Sequence, residues 1–91
     1  MYKNIYKYPL DLKPRQTIKV PEIFDPLAVQ LQNGAICLWA RVDPESRPRE
    51  IEIIMHGTGT GLEEELQGAD CRHLGTVQTG QWVWHFFMAS D

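Results

Sequence analysis

Apolar and polar residues alternate along two neighbouring segments in the middle of the chain. The alternation runs over residues 27–32, is interrupted by Asn33-Gly34, and resumes over residues 36–42. A period of two places every second side chain on the same face of an extended strand. Asn33 and Gly34 both tolerate the positive φ angles of a type I′ turn, which joins two antiparallel strands directly. The pattern therefore predicts a β-hairpin.

Two shorter segments before the hairpin also have the character of strands. Residues 3–8 alternate, with Ile5 on one face and the tyrosines on the other, and Pro9 ends the segment. Because proline has no N–H to donate to a strand ladder, this segment suits an edge or terminal strand. Residues 16–20 form the second segment, and prolines flank it on both sides. We expect two short strands that are bounded by proline.

A further strand is predicted after the hairpin. Residues 43–48 have the proline-rich, polar composition of an exposed loop. Alternation then returns over residues 50–56, where Ile54 adds an apolar side chain to an otherwise polar face. This strand is therefore expected to be covered on both sides.

The C-terminal part of the chain predicts a second hairpin. Residues 73–78 and 81–88 alternate on either side of the expected turn at Thr79-Gly80. Residues 81–88 carry large aromatic or aliphatic side chains on both faces. A strand of this kind is typical of the interior of a sheet that is packed above and below.

Together these segments predict an all-β fold, or a β-rich fold with one short helix. About seven short strands would form a small antiparallel sandwich or barrel. The helix alternative concerns residues 62–66, which are long enough for only one or two turns. The chain has 91 residues, of which 43% are hydrophobic and 23% charged, so we expect a single ordered domain over residues 1–91.

Charge and hydropathy argue against nucleic acid and membranes as partners. The net charge is −3, and no lysine- or arginine-rich stripe is present, which argues against nucleic acid. No apolar run reaches the length of a signal peptide or a bilayer span, so we expect a cytoplasmic protein without a membrane partner. In that compartment Cys37 and Cys71 would be reduced, Cys37 as a small core residue.

A glycine-rich loop is the first candidate for chemistry. Gly57, Gly59 and Gly61 follow a predicted strand, and backbone N–H groups in such a loop could hold an anion. However, no Gly-Lys-Ser or Gly-Lys-Thr follows. The next charged residues would repel a phosphate; they are Glu63, Glu64 and Glu65. A sharply turned or flexible loop is the better interpretation.

A metal site and a nucleophile find less support. Cys71 and His73 share one face of a strand, but a zinc site would also need His56 or His85 to converge with them, and no Cys-x-x-Cys pair is present. The serines are confined to a proline-bounded loop and to the C-terminal tail, so no nucleophile elbow exists. We therefore expect no cofactor, no metal and no catalytic residue.

The aromatic residues favour a binding function instead. Tyr2, Tyr6 and Tyr8 would form a stripe along one face of the first strand, and Trp39 is a further candidate anchor. Exposed tyrosine and tryptophan are typical anchors of protein interfaces. A place in the core is an equally good interpretation for the tyrosines and a better one for Trp82 and Trp84. Glu63, Glu64 and Glu65 would then form a polar rim, and the first strand could pair with a second copy to give a dimer.

Several short motifs resemble those of a known family. They are Ile-Tyr-Lys-Tyr-Pro-Leu at 5–10, Gln-Thr-Ile at 16–18, Val-Gln-Leu-Gln-Asn-Gly at 29–34, Cys-Leu-Trp-Ala at 37–40, Val-Asp at 42–43, His-Gly-Thr-Gly at 56–59, Leu-Gly-Thr-Val-Gln at 74–78 and Val-Trp-His at 83–85. As a set they resemble a family of small uncharacterised bacteriophage and prophage proteins. The family has no established activity, so the resemblance implies only a phage accessory product that works in the cytoplasm of a bacterial host cell.

Three functional hypotheses follow. The first is a phage-encoded accessory protein that binds a host protein stoichiometrically and inhibits a host enzyme or defence complex. The second is a minor structural or assembly protein that forms a β homo-oligomer. The third is a small ligand- or metal-dependent enzyme that uses His56 with residues 57–61.

Overall fold

The computed structural model describes residues 1–62, 66–67 and 71–89, and these residues form two antiparallel sheets. The strands are β1 (Asn4–Pro9), β2 (Arg15–Pro21), β3 (Phe24–Gln32), β4 (Ala35–Val42), β5 (Pro48–Gly57), β6 (Cys71–Thr79) and β7 (Trp82–Ala89). The three-stranded sheet has the order β1-β4-β3, and the four-stranded sheet has the order β2-β5-β7-β6. The all-β prediction is confirmed as a two-sheet sandwich, and the described strands do not close into a barrel. Most of the short helix considered for residues 62–66 lies outside the described residues.

The predicted central hairpin is confirmed as β3 and β4. Asn33 and Gly34 have φ angles of 51° and 81°, and Gln32 pairs directly with Ala35 across the turn. The alternation predicted for β3 is interrupted, however, by an irregularity between Pro26 and Ala28. As a result Leu27 is exposed, although its sequence pattern placed it with the buried residues.

The second hairpin is confirmed as β6 and β7, with the turn one residue later than expected. Thr79 is still part of the strand and pairs with Trp82, so that Gly80 and Gln81 form the loop. Gly80 has a φ of 61°, which a residue with a side chain rarely adopts. Strand β7 lies between β5 and β6, as its two apolar faces predicted.

The core lies between the two sheets and is built from alternate residues of each strand. Leu38, Ala40 and Val42 of β4 are fully buried, and so are Ile53 of β5 and Phe86 of β7. These side chains belong to one apolar cluster that spans both sheets. Ile54 is also buried although it faces away from this cluster, which fits the prediction that its strand is covered on both sides. No helix among the described residues is long and apolar enough to cross a membrane.

The two sheets meet along one side, where β3 approaches β6; this contact is called the seam below. Both strands are irregular there, β3 between Pro26 and Ala28 and β6 between His73 and Gly75. At Gly75 the strands come so close that a Cβ atom would lie 2.4 Å from the backbone oxygen of Val29. On the opposite side the sheets end in β1 and β2.

Two ion pairs of Asp25 also stabilise the region of the seam. Arg41 of β4 donates through Nη2 to Asp25 Oδ2 over 2.6 Å, and Arg72 of β6 donates through Nη1 to Asp25 Oδ1 over 3.2 Å. Arg72 also donates to the backbone oxygen of Pro26. The hydrogen bond from Arg41 above all lowers the pKa of Asp25 below its usual value of 3.8, although partial burial acts in the opposite direction. Asp25 is therefore ionised at neutral pH and joins strands of both sheets.

Replacing Asp25 by asparagine is expected to lower the free energy of unfolding at pH 7 by about 1.5 kcal/mol, because charge-assisted hydrogen bonds are lost. The folded-state pKa lies below the unfolded one, so this stabilisation is complete above about pH 4 and is lost as the pH falls through the folded-state pKa. Urea unfolding of both proteins between neutral and acid pH measures the difference.

Glu52→Gln is the matched control, because Glu52 makes an exposed ion pair with Arg15. We expect a change of less than about 0.5 kcal/mol for it. An Asp25→Asn difference that stays constant down to acid pH would contradict the role given to the carboxylate.

Candidate functional site

A groove of about 380 Å³ opens between the sheets on the side opposite the seam. We call it the tyrosine groove. Its lining residues come from β1, from β2 and from the β4–β5 loop and its junction with β5, and they are Tyr6, Tyr8, Lys19, Val20, Pro21, Pro44, Ser46 and Pro48. The groove thus lies between the two strands that end the sheets, where a partner could reach it.

One wall is formed by the two tyrosines of β1. Tyr6 pairs with Ala40 and Tyr8 with Leu38, so both side chains point toward the inner face of the three-stranded sheet. Their ring centroids are 6.4 Å apart, and the Tyr8 ring meets Phe24 edge-on at 6.0 Å. Tyr8 packs against the core while Tyr6 is 41% exposed. The prediction that Tyr6 and Tyr8 share a face is correct.

The hydroxyl group of Tyr8 is buried and has no hydrogen-bond partner among the described residues. Burial, with a smaller contribution from Tyr6, raises the pKa of Tyr8, so the group stays a neutral phenol. A buried hydroxyl without a partner destabilises a protein by about 1–3 kcal/mol. The hydroxyl group thus lies unpaired beneath the wall of the groove, where a ligand could satisfy it only by displacing the atoms that cover it.

The opposite wall is a loop held in place by its own hydrogen bonds. The Ser46 hydroxyl donates to the backbone oxygen of Asp43 over 2.7 Å, and it accepts from the backbone N–H of Ile23. The backbone N–H of Glu45 donates to the side chain of Asp43. Pro44 is fixed within this loop. The wall is thus formed before any partner binds.

Tyr2 and Trp39 lie away from this groove. The guanidinium group of Arg41 lies 4.3 Å from the centroid of the Tyr2 ring. Trp39 lies on the outer face of the three-stranded sheet, with Lys7 Nζ 5.8 Å from its ring centroid. The structure therefore brings together only two of the candidate aromatic residues, Tyr6 and Tyr8. The predicted acidic rim lies outside the described residues; it comprises Glu63, Glu64 and Glu65.

The glycine-rich segment forms a turn after β5. Gly59 has a φ of 89°, which favours glycine at this position. At Gly61 a side chain would be tolerated, because a Cβ atom there would meet no atom within 4 Å. Gly57 has a different role, since a Cβ atom there would lie 3.1 Å from a carbon of the Trp84 ring. The loop hydroxyls hydrogen-bond to nearby imidazoles, with Thr60 to His56 as one example.

The three histidines lie together on the outer face of the four-stranded sheet. His56 pairs with His85, and the rings of His73 and His85 are 6.5 Å apart. Threonine hydroxyls occupy their nitrogens: Thr76 lies between His73 and His85 at 3.1 and 2.9 Å. Cys71 is directed to the backbone oxygen of Leu66 instead. Within the described ranges, no three side chains of His, Cys, Asp or Glu are arranged to hold a metal ion.

Several groove residues could not be found from sequence patterns. Lys19 and Pro21 belong to a strand that is distant from Tyr6 in sequence, and only the order of strands in the two sheets brings them close. The unpaired Tyr8 hydroxyl likewise depends on what surrounds it. The signal in the sequence was the proline at the end of β1 and of β2, the two edge strands that flank the groove.

Comparison with known proteins gives one result. A family model described as a domain of unknown function (DUF7352) matches residues 1–91. No curated protein and no solved structure matches the chain significantly.

Proposed function

The chain belongs to this family, whose function is unknown, and from that premise we propose that it acts by stoichiometric binding to another protein. The tyrosine groove takes an extended segment of the partner. The observation that carries the proposal is the buried, unpaired hydroxyl of Tyr8 in a groove between two edge strands.

The Tyr8 hydroxyl defines what the partner must supply. A neutral phenol donates one hydrogen bond, so a carbonyl oxygen of the partner's backbone would satisfy it once the partner displaces the atoms that cover the hydroxyl. Binding then removes the unfavourable free energy of the unpaired group, in addition to the contact area gained. The ring of Tyr6 and the pyrrolidine rings of Pro21 and Pro48 provide apolar contacts for alternate side chains of the segment.

The arrangement of the strands supports an extended conformation for the segment. Within the described residues β1 pairs only with β4, so one edge of its backbone is available. Addition of a strand to such an edge is a recurrent mode of peptide recognition, in which backbone hydrogen bonds give affinity and side-chain pockets give specificity. Strand β1 ends at Pro9, which limits the length of the backbone edge that a partner strand could pair with.

Charge suggests the chemistry of the partner segment. Lys19 lines the groove and makes no ion pair with any described residue. Among the described residues of the lining, it is the one ionised side chain. The preferred segment is therefore apolar with a carboxylate placed to meet Lys19. Such a pair on the rim contributes more to specificity and association rate than to affinity.

The resemblance to bacteriophage and prophage proteins supports a bacterial host as the source of the partner. We propose a bacterial host protein, an enzyme or a component of a defence complex, that is inhibited when this chain binds. No step of this mechanism requires catalysis, a cofactor or a metal ion.

Substitutions in the groove test the proposal in affinity capture from lysate of the bacterium that carries the gene. We expect Tyr6→Ala to reduce the captured partner at least tenfold, since about 1.4 kcal/mol of binding is lost. Tyr8→Phe should reduce capture while leaving the free protein as stable as before or more stable, because the removed hydroxyl was unpaired. Quantitative mass spectrometry measures the capture, and urea unfolding measures the stability.

Tyr2→Ala is the matched control, because this tyrosine precedes the same strand but contacts Arg41 outside the groove. It should leave capture unchanged, and native mass spectrometry of the complex should show a fixed stoichiometry. Recovery of no partner above background, or equal recovery by Tyr6→Ala, would rule out the groove as the binding site.

The free edge of β1 also favours a second candidate, a homo-oligomer assembled through this strand. Mass measurement in solution distinguishes the two. A stable ring or trimer would support the assembly function, whereas a monomer that captures a host protein would support inhibition.

A further inference from the structure

A second pocket, of about 330 Å³, lies beside the β6–β7 turn. We call it the tryptophan pocket. Its lining residues are Gly57, Thr58, Thr60, Gln81, Trp82, Val83 and Trp84. None of them lines the tyrosine groove, so the two sites are independent.

Two indole rings form the apolar part of this pocket. Trp82 and Trp84 are stacked, with centroids 6.0 Å apart and planes inclined by 24°. Trp84 packs against the core and its Nε1 donates to the hydroxyl of Thr79 over 2.9 Å, which fixes the inner ring. Trp82 is 58% exposed, although the sequence favoured a buried position for it. Tryptophan is enriched at binding interfaces, where its ring provides a large apolar contact area.

The rest of the pocket is held by close packing and hydrogen bonds. Gly57 packs closely on the Trp84 ring, since a Cβ atom there would lie 3.1 Å from a ring carbon. The backbone N–H of Thr58 donates to the backbone oxygen of Val83 over 3.1 Å, so the glycine-rich turn is attached to β7. Thr58 is also held through its hydroxyl, which lies 2.6 Å from His85 Nε2. A ligand would therefore meet a surface that is already in place.

The polar groups of the pocket are uncharged. The lining contains no ionised side chain among the described residues, so nothing there would balance the charge of a phosphate, a carboxylate or an ammonium group. The side-chain amide of Gln81 makes no hydrogen bond with the described residues and offers both a donor and an acceptor beside Trp82. An apolar ring next to a free amide suits a ligand that is neutral, has an apolar face and carries hydroxyl groups at its edge.

We propose that the tryptophan pocket binds a neutral saccharide. One face of a pyranose ring presents C–H groups, which pack on the exposed indole of Trp82. The hydroxyl groups at the edge of the same ring exchange hydrogen bonds with Gln81. Thr58 and Thr60 are already bonded to histidines and serve mainly to shape the pocket.

Titration with neutral oligosaccharides tests this assignment. The probes are tetramers of N-acetylglucosamine, of β-1,4-linked glucose and of α-1,4-linked glucose. Tryptophan fluorescence and calorimetry measure their binding. We expect at least one to bind with a Kd below about 10 mM and to shift the fluorescence. Trp82→Ala should weaken that binding at least about tenfold, Gln81→Ala less so, and Trp82→Phe should retain most of it. Trp39→Ala, on the other sheet, should have no effect.

Thermal unfolding checks that each variant is folded. If Trp82→Ala does not fold, Gln81→Ala provides an independent measurement of saccharide affinity, because Gln81 lies in an exposed turn. The proposal would be overturned if no tetramer bound. It would also be overturned if Trp82→Ala and Gln81→Ala both bound as tightly as the original protein. Binding of adenosine or uridine with no binding of the saccharides would overturn it as well, since that would identify a site for flat aromatic bases. Sedimentation that shows a dimer lost on Trp82→Ala would also overturn it, because the indole would then be covered by a second copy.

Discussion

Replacement of Gly75 by alanine is expected to lower the free energy of unfolding by about 3 kcal/mol. The new Cβ atom would lie 2.4 Å from the backbone oxygen of Val29 and 3.0 Å from its backbone nitrogen. Both atoms belong to a strand whose position is set by its pairing with β4, so neither can move away as the end of a side chain could. The seam would have to open, and the contact between the two sheets would weaken along its length.

Urea unfolding followed by tryptophan fluorescence measures this effect. Gly61→Ala is the control, because a Cβ atom there has no neighbour within 4 Å and the residue has no positive φ. We expect that variant to be as stable as the original or slightly more stable. Equal stabilities for the two variants would show that the seam is looser than the distances indicate.

Replacement of Phe86 by alanine is expected to have an effect of similar or greater size, about 4 kcal/mol. Phe86 is fully buried near the middle of β7, and this strand is an interior member of the four-stranded sheet. Its ring belongs to the cluster that joins the two sheets. Removing it leaves a cavity that the paired strands on both sides cannot collapse to fill. A domain of this size has a free energy of unfolding of about 5–10 kcal/mol, so the variant would be close to unfolded at moderate temperature.

Leu31→Ala provides the comparison, since Leu31 is 41% exposed in an edge strand. It should change the free energy of unfolding by less than about 1 kcal/mol. Calorimetry or chemical unfolding of Phe86→Ala and Leu31→Ala separates loss of the core from a general effect of shortening a side chain. A Phe86→Ala protein with unchanged stability would mean that the core lies elsewhere.

The parts of the fold that local residues determine could be predicted from the sequence. Asn33-Gly34 sets the turn between β3 and β4 through backbone angles, which depend on little beyond the two residues themselves. The interior position of β7 follows from apolar side chains on both of its faces, because each face needs a cover.

The seam, the tyrosine groove and the tryptophan pocket could not be predicted, because they depend on contacts between residues distant in sequence. The approach of Gly75 to Val29 requires two irregular strands from different sheets to meet, and no periodicity describes an irregularity in advance. Alternation correctly placed Tyr6 and Tyr8 on one face, but it does not tell whether a neighbouring sheet covers that face completely.

Trp82 shows another limit of the pattern. Its alternation with Val83 assigns it to the same face as Trp84, which packs against the core. However, Trp82 is the first residue of β7 and lies next to the turn, so the core does not reach it. A period of two identifies the face of a strand on which a side chain lies, and the position of the residue along that strand decides how much of it is buried.

At the seam a strand of each sheet is in close contact, whereas on the opposite side β1 and β2 do not pair and the sheets are joined by connecting loops. A small rotation of one sheet about the β3–β6 contact would widen or narrow the tyrosine groove and leave the backbone hydrogen bonds within each sheet unbroken. Such a rotation would let the groove accept side chains of different bulk, while Asp25 and its two arginines hold the seam. Substitutions in β1 and β2 that reshape the groove would therefore leave the seam and the pairing within each sheet intact.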